Sequence, residues 1–235
     1  MNKPVVAIIP AKGYSRRVSN KNMRPFNGKP LVFHTIEQAL KSQFVDEVYV
    51  STDSTDIKNY CEKIGARVPF LRPPELSGDD VHGSVPILHM LERLGGAEKY
   101  SFCLQLLATS PLKSSQTIGD VVRLSIEGRT NVLSVTPTGK ILLHLRTMSA
   151  DGTLQPVIGD VQQVMGKKIY NFQTQDMPQL LAINGAIYSA PVADLLEHRT
   201  FQYGNPVGYV MDPVEAFDID TERDFVIAER LASLV

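Results

Sequence analysis

The chain has 235 residues, 24 Lys+Arg against 25 Asp+Glu, a formal net charge of -1 and 43% hydrophobic residues. That suits a globular domain with a sizeable core and excludes a disordered chain, a collagen or a coiled coil. The balanced charge argues against nucleic acid as a partner, since binding along a phosphate backbone needs a basic excess.

Two cysteines, Cys61 and Cys103, stand in no CxxC spacing. They read as buried thiols of a reducing compartment, not as a zinc knuckle or a disulfide scaffold. No apolar run approaches the roughly 20 residues that span a bilayer, and residues 5–9, after Lys3-Pro4, are too short for a signal-peptide core. The expectation is a cytoplasmic protein with no membrane partner.

In chain order, Val5-Val6-Ala7-Ile8-Ile9 reads as a strand buried on both faces. A loop over residues 11–29 follows, rich in Gly, Ser, Asn and cations. Leu31, Phe33, Ile36 and Leu40 repeat at helical spacing, with Pro30 at the first helical position. Residues 47–51 form the next strand. Ser54 or Thr55 caps a helix that Gly65 ends, and residues 68–71 make a third, short strand. Residues 73–80 are loop by composition. A helix over 85–94 stops at Gly95-Gly96. Residues 101–107 are a central strand, Ile118, Val121, Val122 and Ser125 mark a helix, and 131–135 are another strand.

Residues 137–182 break this rhythm. They are polar, carry Gly139, Gly152, Gly159 and Gly166, and read as an insertion within one domain of residues 1–235. Alternation resumes with a strand at 186–188, a helix at 192–197, a strand at 207–211 and a final helix over 221–234. The fold expected is α/β: a three-layer, mainly parallel, Rossmann-like sheet. Ligands of such sheets sit beyond the carboxyl ends of the strands, at a switch in strand order. That gathers the loops after Ile9, Ser51, Leu71 and Leu107 around one cleft.

Charge is unevenly placed. Residues 1–36 hold seven cations and no acid, whereas residues 207–235 hold seven acids against Arg223 and Arg230. Meeting in the fold, the two would suit a polyphosphate with its divalent metal; apart, each is a solvated face. The loop Pro10-Ala11-Lys12-Gly13-Tyr14-Ser15-Arg16-Arg17 is neither a Walker A loop nor GxGxxG. It still has what a phosphate cradle needs: a glycine for close backbone approach, N–H groups and cations.

This opening, with Lys21-Asn22, resembles that of the acylneuraminate cytidylyltransferases. Gly28-Lys29-Pro30-Leu31, Ser51-Thr52-Asp53, Leu71-Arg72-Pro73-Pro74-Glu75-Leu76, Thr109-Ser110-Pro111-Leu112, Asn184-Gly185-Ala186-Ile187-Tyr188 and Asp218-Ile219-Asp220-Thr221-Glu222 follow in the family's order. The resemblance implies a nucleotidyltransferase that joins CTP to the anomeric hydroxyl of a nonulosonic, sialic-acid-like 2-keto sugar acid, giving a CMP-sugar and pyrophosphate. It implies that Lys12, Gly13, Ser15, Arg16 and Lys21 hold the triphosphate, that Asn22, Arg72 and His82 serve the nucleotide, and that Thr109 and Asn184 meet the sugar. Lys12, Lys21, Asp218 and Asp220 would be the catalytic set, with Asp218 and Asp220 binding Mg2+ (or Mn2+). In a strand, the two aspartates would share one face. Read without the family, the same segment is good helix N-cap chemistry through Asp220 or Thr221. The resemblance further implies a homodimer, built by the insertion at 137–182.

The chain departs from the family at several points. Lys12 replaces a common Arg, which keeps charge but loses bidentate geometry. Leu107 and Ala108 replace a Gln-Pro pair, which hints at a modified nonulosonate. The stretch around Gln173 lacks an Arg suited to a sugar carboxylate. Alternatives are a nucleotidyltransferase using another NTP and a sugar 1-phosphate, a DxD-type glycosyltransferase, and a non-catalytic nucleotide-binding module. The five histidines form no metal-ligand spacing, with His34 and His89 expected to be structural.

Overall fold

The computed structural model describes residues 3–15, 18–138, 145–157 and 179–233. Arg16, His144, Gly139, Gly159, Gly166 and the stretch around Gln173 lie outside the described residues.

The first strand, β1 (Val5–Pro10), is flanked by parallel partners on both sides: β4 (Glu47–Ser51), with Ile8 opposite Tyr49, and β5 (Phe102–Leu106), with Ile8 opposite Gln105. Between β1 and β4 lie β2 (Pro25–Phe26), β3 (Lys29–Pro30) and the helix α1 (Leu31–Lys41). After β4 come α2 (Thr55–Lys63), α3 (Val85–Arg93) and the short α4 (Gly96–Lys99), which the double glycine hid from the sequence pattern. Beyond β5 follow α5 (Ser115–Gly128), β6 (Val132–Pro137), β9 (Leu181–Pro191), α6 (Val192–His198), β10 (Val207–Val210) and α7 (Glu222–Leu231). The sheet order is β10-β6-β9-β5-β1-β4. β9 runs antiparallel to β5.

Side-chain alternation builds two cores from one sheet. Val5, Ala7 and Ile9 face a layer with Val32 and Ile36 of α1 and Ile118 and Val122 of α5. Val6 and Ile8 face the other, with Ile87 and Leu91 of α3 and Leu195 of α6. That double burial is why the first strand reads as an unbroken apolar run.

Two expectations change. Residues 68–71 form no strand; a single bridge joins Arg67 to Tyr49. The buried stripe of α1 is Leu31, Val32, Thr35, Ile36 and Ala39, while Leu40 is exposed; Pro30 is the cap and not the first helical residue. Cys61 and Cys103 are buried free thiols, and burial pushes the Cys61 thiol up to about 12.

A third cluster joins the two chain ends. Val18, Phe26 and Leu31 pack on Ile219, Phe225 and Ala228, and Arg24 lies 4.4 Å over the Phe225 ring and pairs with Glu222. The basic loop and the acidic tail therefore meet.

By contacts the chain forms two compact units, Thr136–Ala182 and the remainder. In the smaller unit, β7 (Arg146–Met148) and β8 (Leu154–Pro156) make an antiparallel hairpin with Thr147 opposite Gln155. Met148, Leu154 and Val157 are exposed.

Candidate active site

Because β4 and β5 lie on opposite sides of β1, the chain leaves the sheet in two directions there, and a cleft opens at the carboxyl ends. A cavity of about 460 Å³ fills it. Its lining comes from the first loop (Pro10, Lys12, Ser15, Lys21, Asn22), from Arg72 and the segment around residues 76–83, from Pro86 of α3, from Leu107 and Thr109, and from Asp220.

The first loop is held by its own polar groups. Asn22, buried, donates Nδ2–H to the Lys12 carbonyl at 2.9 Å. Gly13 donates its N–H to Asp53 Oδ1 at 2.8 Å, and a Cβ there would stand 2.9 Å from Ser54 Cβ. Gly13 is thus needed for packing of the loop on α2, and it does not line the cavity. Lys12 crosses the cavity mouth to pair with Asp79. Lys21 donates from Nζ to the Ile219 carbonyl at 2.7 Å and to Asp220 Oδ1 at 3.3 Å.

Arg72 forms the wall opposite. It is buried, donates Nε–H to Ser77 Oγ at 2.9 Å and an Nη–H to the Ser51 carbonyl at 3.2 Å, and lies 3.8 Å from Asp53. Burial lowers its pKa, and Asp53 opposes that shift. His82 does not line the cavity: its Nδ1 sits 2.8 Å from Ser84 Oγ, and the residue is exposed.

The Asp218-Ile219-Asp220 segment is irregular, not a strand. Its Ile219 N–H donates to the Thr109 carbonyl at 2.8 Å. Asp220, with its side chain 50% exposed, lines the cavity. Asp218 does not line it, and its Oδ1 is buried with no hydrogen-bond partner among the described residues. The cap of α7 falls to Thr221, which forms a capping box with Asp224. Asp220 takes part only through its backbone, its N–H donating to Asp224 Oδ2 at 3.0 Å.

Thr109 lines the cavity but Asn184 does not. Asn184 Oδ1 accepts from Ser134 Oγ at 2.5 Å and from the Ala186 N–H at 3.0 Å, shaping β9 beside Gly185, whose φ of 80° requires a glycine. The place expected for a sugar contact is a backbone brace. Leu107 lines the cavity, whereas Gln105 is buried within β5.

One residue escaped the sequence reading altogether. Lys113 is only 1% exposed. Burial pulls its pKa down to about 7, against the favourable field of Asp218 and Glu215. A lone Lys between a Pro-Leu turn and a helix start carries no signal of burial; only its place beneath residues 107–110 shows it. His34 and His89 are structural as expected: His34 lies 2.8 Å from the Phe26 carbonyl, and His89 packs edge-on to Phe70.

Residues 6–132 match the family model described as Cytidylyltransferase. The chain is 30% identical to the CMP-N,N'-diacetyllegionaminic acid synthase of Legionella pneumophila, over 98% of this chain and 97% of that one. The chain belongs to the cytidylyltransferase family. This cytidylyltransferase is also 31% identical to the N-acylneuraminate cytidylyltransferase of Escherichia coli, over 97% of its own length but 52% of that relative's. Among solved structures, a CMP:2-keto-3-deoxy-manno-octonic acid synthetase complexed with CTP superposes with a TM-score of 0.70 at 14% identity, covering 98% of this chain and 99% of that one. At that identity the likeness speaks for the Rossmann-like α/β fold of the cytidylyltransferase. No described helix is long and apolar enough to cross a membrane.

Proposed function

We propose that this cytidylyltransferase joins CTP to the free anomeric hydroxyl of a nonulosonic 2-keto sugar acid. The hydroxyl oxygen bonds to the α-phosphorus, the bond from that phosphorus to the bridging oxygen of the β-phosphate breaks, and pyrophosphate leaves with the electron pair. The hydroxyl proton passes to solvent. The observation that carries this reading is the cavity itself: Lys12, Ser15 and Lys21 line one end, and Asp220 stands beside Lys21.

Lys12 and Lys21 would neutralise the triphosphate and the charge that builds on the leaving oxygens. Asn22 keeps Lys12 in place, and Arg72 with Ser77 shapes the nucleotide wall. Thr109 and Leu107 face the acceptor. The apolar Leu107, with Pro86 also in the lining, favours a modified, less hydroxylated sugar acid.

Asp218 and Asp220 would hold Mg2+ (or Mn2+), which when bound offsets phosphate charge. The fit rests on the cavity-facing carboxylate of Asp220, two residues from Asp218, which itself lies outside the lining. Among the described residues no group of three or more His, Cys, Asp and Glu gathers to hold a metal alone. Mg2+ bound through one or two carboxylates plus phosphate needs no such group.

The same reading makes the enzyme a cytoplasmic homodimer. Exposed Met148, Leu154 and Val157 on the hairpin of the Thr136–Ala182 unit are the apolar surface that supports a partner subunit. Light scattering at micromolar concentration tests it: a monomer mass removes the dimer from the proposal.

The test of the reaction is pyrophosphate release with Mg2+, comparing CTP, GTP, UTP and ATP against nonulosonic acids, Kdo and sugar 1-phosphates. Turnover with CTP and one free 2-keto acid is expected and names the acceptor. Turnover only with another nucleotide or a phosphorylated sugar overturns it, as does transfer from a finished nucleotide-sugar.

A further inference from the structure

The cavity's acceptor side is built on a short turn, residues 107–110, and that turn is stapled from below. Lys113 places Nζ 2.6 Å from the Leu107 carbonyl, 3.1 Å from Thr35 Oγ1 and against the Ser110 carbonyl. Three acceptors match the three protons of an ammonium group. Thr35, fully buried on α1, adds a hydrogen bond from its own Oγ1 to the Leu107 carbonyl at 3.3 Å. Helix, turn and lysine form one unit.

The turn's other side faces the acidic segment. Between Leu107 and Ser110, Thr109 lines the cavity and accepts the Ile219 N–H at 2.8 Å. Ile219 stands between the two aspartates, and its own carbonyl accepts from Lys21 at 2.7 Å. One chain of hydrogen bonds therefore runs from Lys113 through the turn to Ile219 and Lys21.

A buried ammonium is an expensive way to fill space. An apolar side chain of similar volume commonly serves stability as well or better. What the ammonium adds is direction: it draws two carbonyls of one turn and a hydroxyl of α1 to a single point. We propose that Lys113 is a positioning residue of the transfer reaction, fixing the 107–110 turn and, through the Thr109–Ile219 hydrogen bond, the placement of Asp220 at the cavity. The role rests on the reaction proposed above for the same cavity. Lys113 touches neither nucleotide nor sugar in this arrangement; it acts through Thr109 and Ile219.

The test uses the full chain with Lys113→Met and with Thr35→Val, which keeps the amine but removes one acceptor. Backbone hydrogen exchange is followed residue by residue, together with kcat and the KM for CTP. In Lys113→Met, the Ile219 amide should exchange at least about tenfold faster while amides of β1 and β4 keep their rates, as a local opening does. Thr35→Val should shift Ile219 in the same direction by less. kcat should fall by about tenfold or more with the KM for CTP changed less than about threefold, the pattern of a lost transition-state arrangement.

Unchanged exchange at Ile219 in both variants overturns the role, and so does acceleration spread evenly over β1, β4 and β5, which marks a merely structural lysine. If Lys113→Met does not fold, Thr35→Val decides. A parent protein without turnover on CTP overturns the proposed reaction, while exchange at Ile219, which needs no substrate, still decides the positioning link.

Discussion

Lys21 and Asp220, 199 positions apart in sequence, stand 3.3 Å from each other at the floor of the cavity, and Lys21 is anchored a second time on the Ile219 carbonyl. The pair joins the basic opening of the chain to its acidic end. In the proposed reaction the lysine would face phosphate and the aspartate metal, so each would hold the other where its ligand arrives. Lys21→Met should lower kcat/KM for CTP by at least about 100-fold, near 2.7 kcal/mol of transition-state stabilisation. Asp220→Asn should raise the half-saturating Mg2+ concentration by about tenfold. Steady-state pyrophosphate release measures both; a Lys21→Met enzyme within twofold of the parent removes Lys21 from the site.

Across the cavity mouth, Asp79 pairs with Lys12, the residue proposed above to neutralise the triphosphate. The two side chains are each 30% exposed. A pair so open to water is worth at most about 1 kcal/mol. Nucleotide must displace it, so Asp79→Asn should lower the KM for CTP by about two- to fivefold with kcat unchanged, and the gain should shrink in high salt. Lys12→Ala should move KM the other way. Calorimetric titration with CTP reads both. A weaker nucleotide affinity in Asp79→Asn would make Asp79 a nucleotide contact and not a competitor.

Much of this was legible in the sequence because burial leaves a pattern. Val5 to Ile9 is apolar at every position because the sheet has a core on each face. Charge left open whether the chain ends meet; the family's motifs, which name Lys21 and Asp220, pointed to it. What escaped has a physical reason in each case. Residues 68–71 have strand chemistry but form no strand: the one bridge to β4 is made just before them, by Arg67 to Tyr49. His82 sits in the right loop, but Ser84 takes its ring. Asn184 has the polarity of a ligand contact, yet a strand bent at Gly185 needs that polarity itself. Lys113 had no pattern: its acceptors are two carbonyls of the turn just before it and the Thr35 hydroxyl of α1, and nothing in the residue types marks them as such.

Arg72 should tolerate no substitution, lysine included. Its guanidinium reaches Ser77 Oγ and the Ser51 carbonyl from different nitrogens, linking the end of β4 to the 76–83 segment that lines the cavity. A lysine ammonium is a point donor and cannot span both. Arg72→Lys should cost about 1–3 kcal/mol of stability through buried partners left unpaired and should weaken CTP binding in parallel. Urea denaturation followed by circular dichroism gives the first quantity. A stability unchanged from the parent would mean that Ser51 and Ser77 find other donors and that the wall does not depend on Arg72.

At the far edge of the sheet, Glu47 sets how the fold responds to acid. It accepts from Tyr100 Oη at 2.5 Å, Tyr49 Oη at 2.9 Å and Arg67 at 2.7 Å, with Lys99 3.4 Å away. Burial alone would push its pKa up, but the hydrogen bonds from Tyr100, Arg67 and Tyr49 outweigh that and hold the carboxyl at about 2. The folded value therefore lies below the unfolded one of about 4.3. As pH falls, the unfolded chain takes up this proton first. Glu47 thus contributes its full stability above that unfolded value, and loses it progressively as pH drops toward 2. Glu47→Gln should be less stable than the parent at pH 7, and its stability should fall less between pH 4 and pH 2, because the variant has no proton to take up there. Unfolding free energies from urea titrations at pH 7, 4 and 3 decide it: two curves that stay parallel down to pH 3 would mean that Glu47 carries no acid-sensitive stability and that the tyrosine pair holds β4 without its charge.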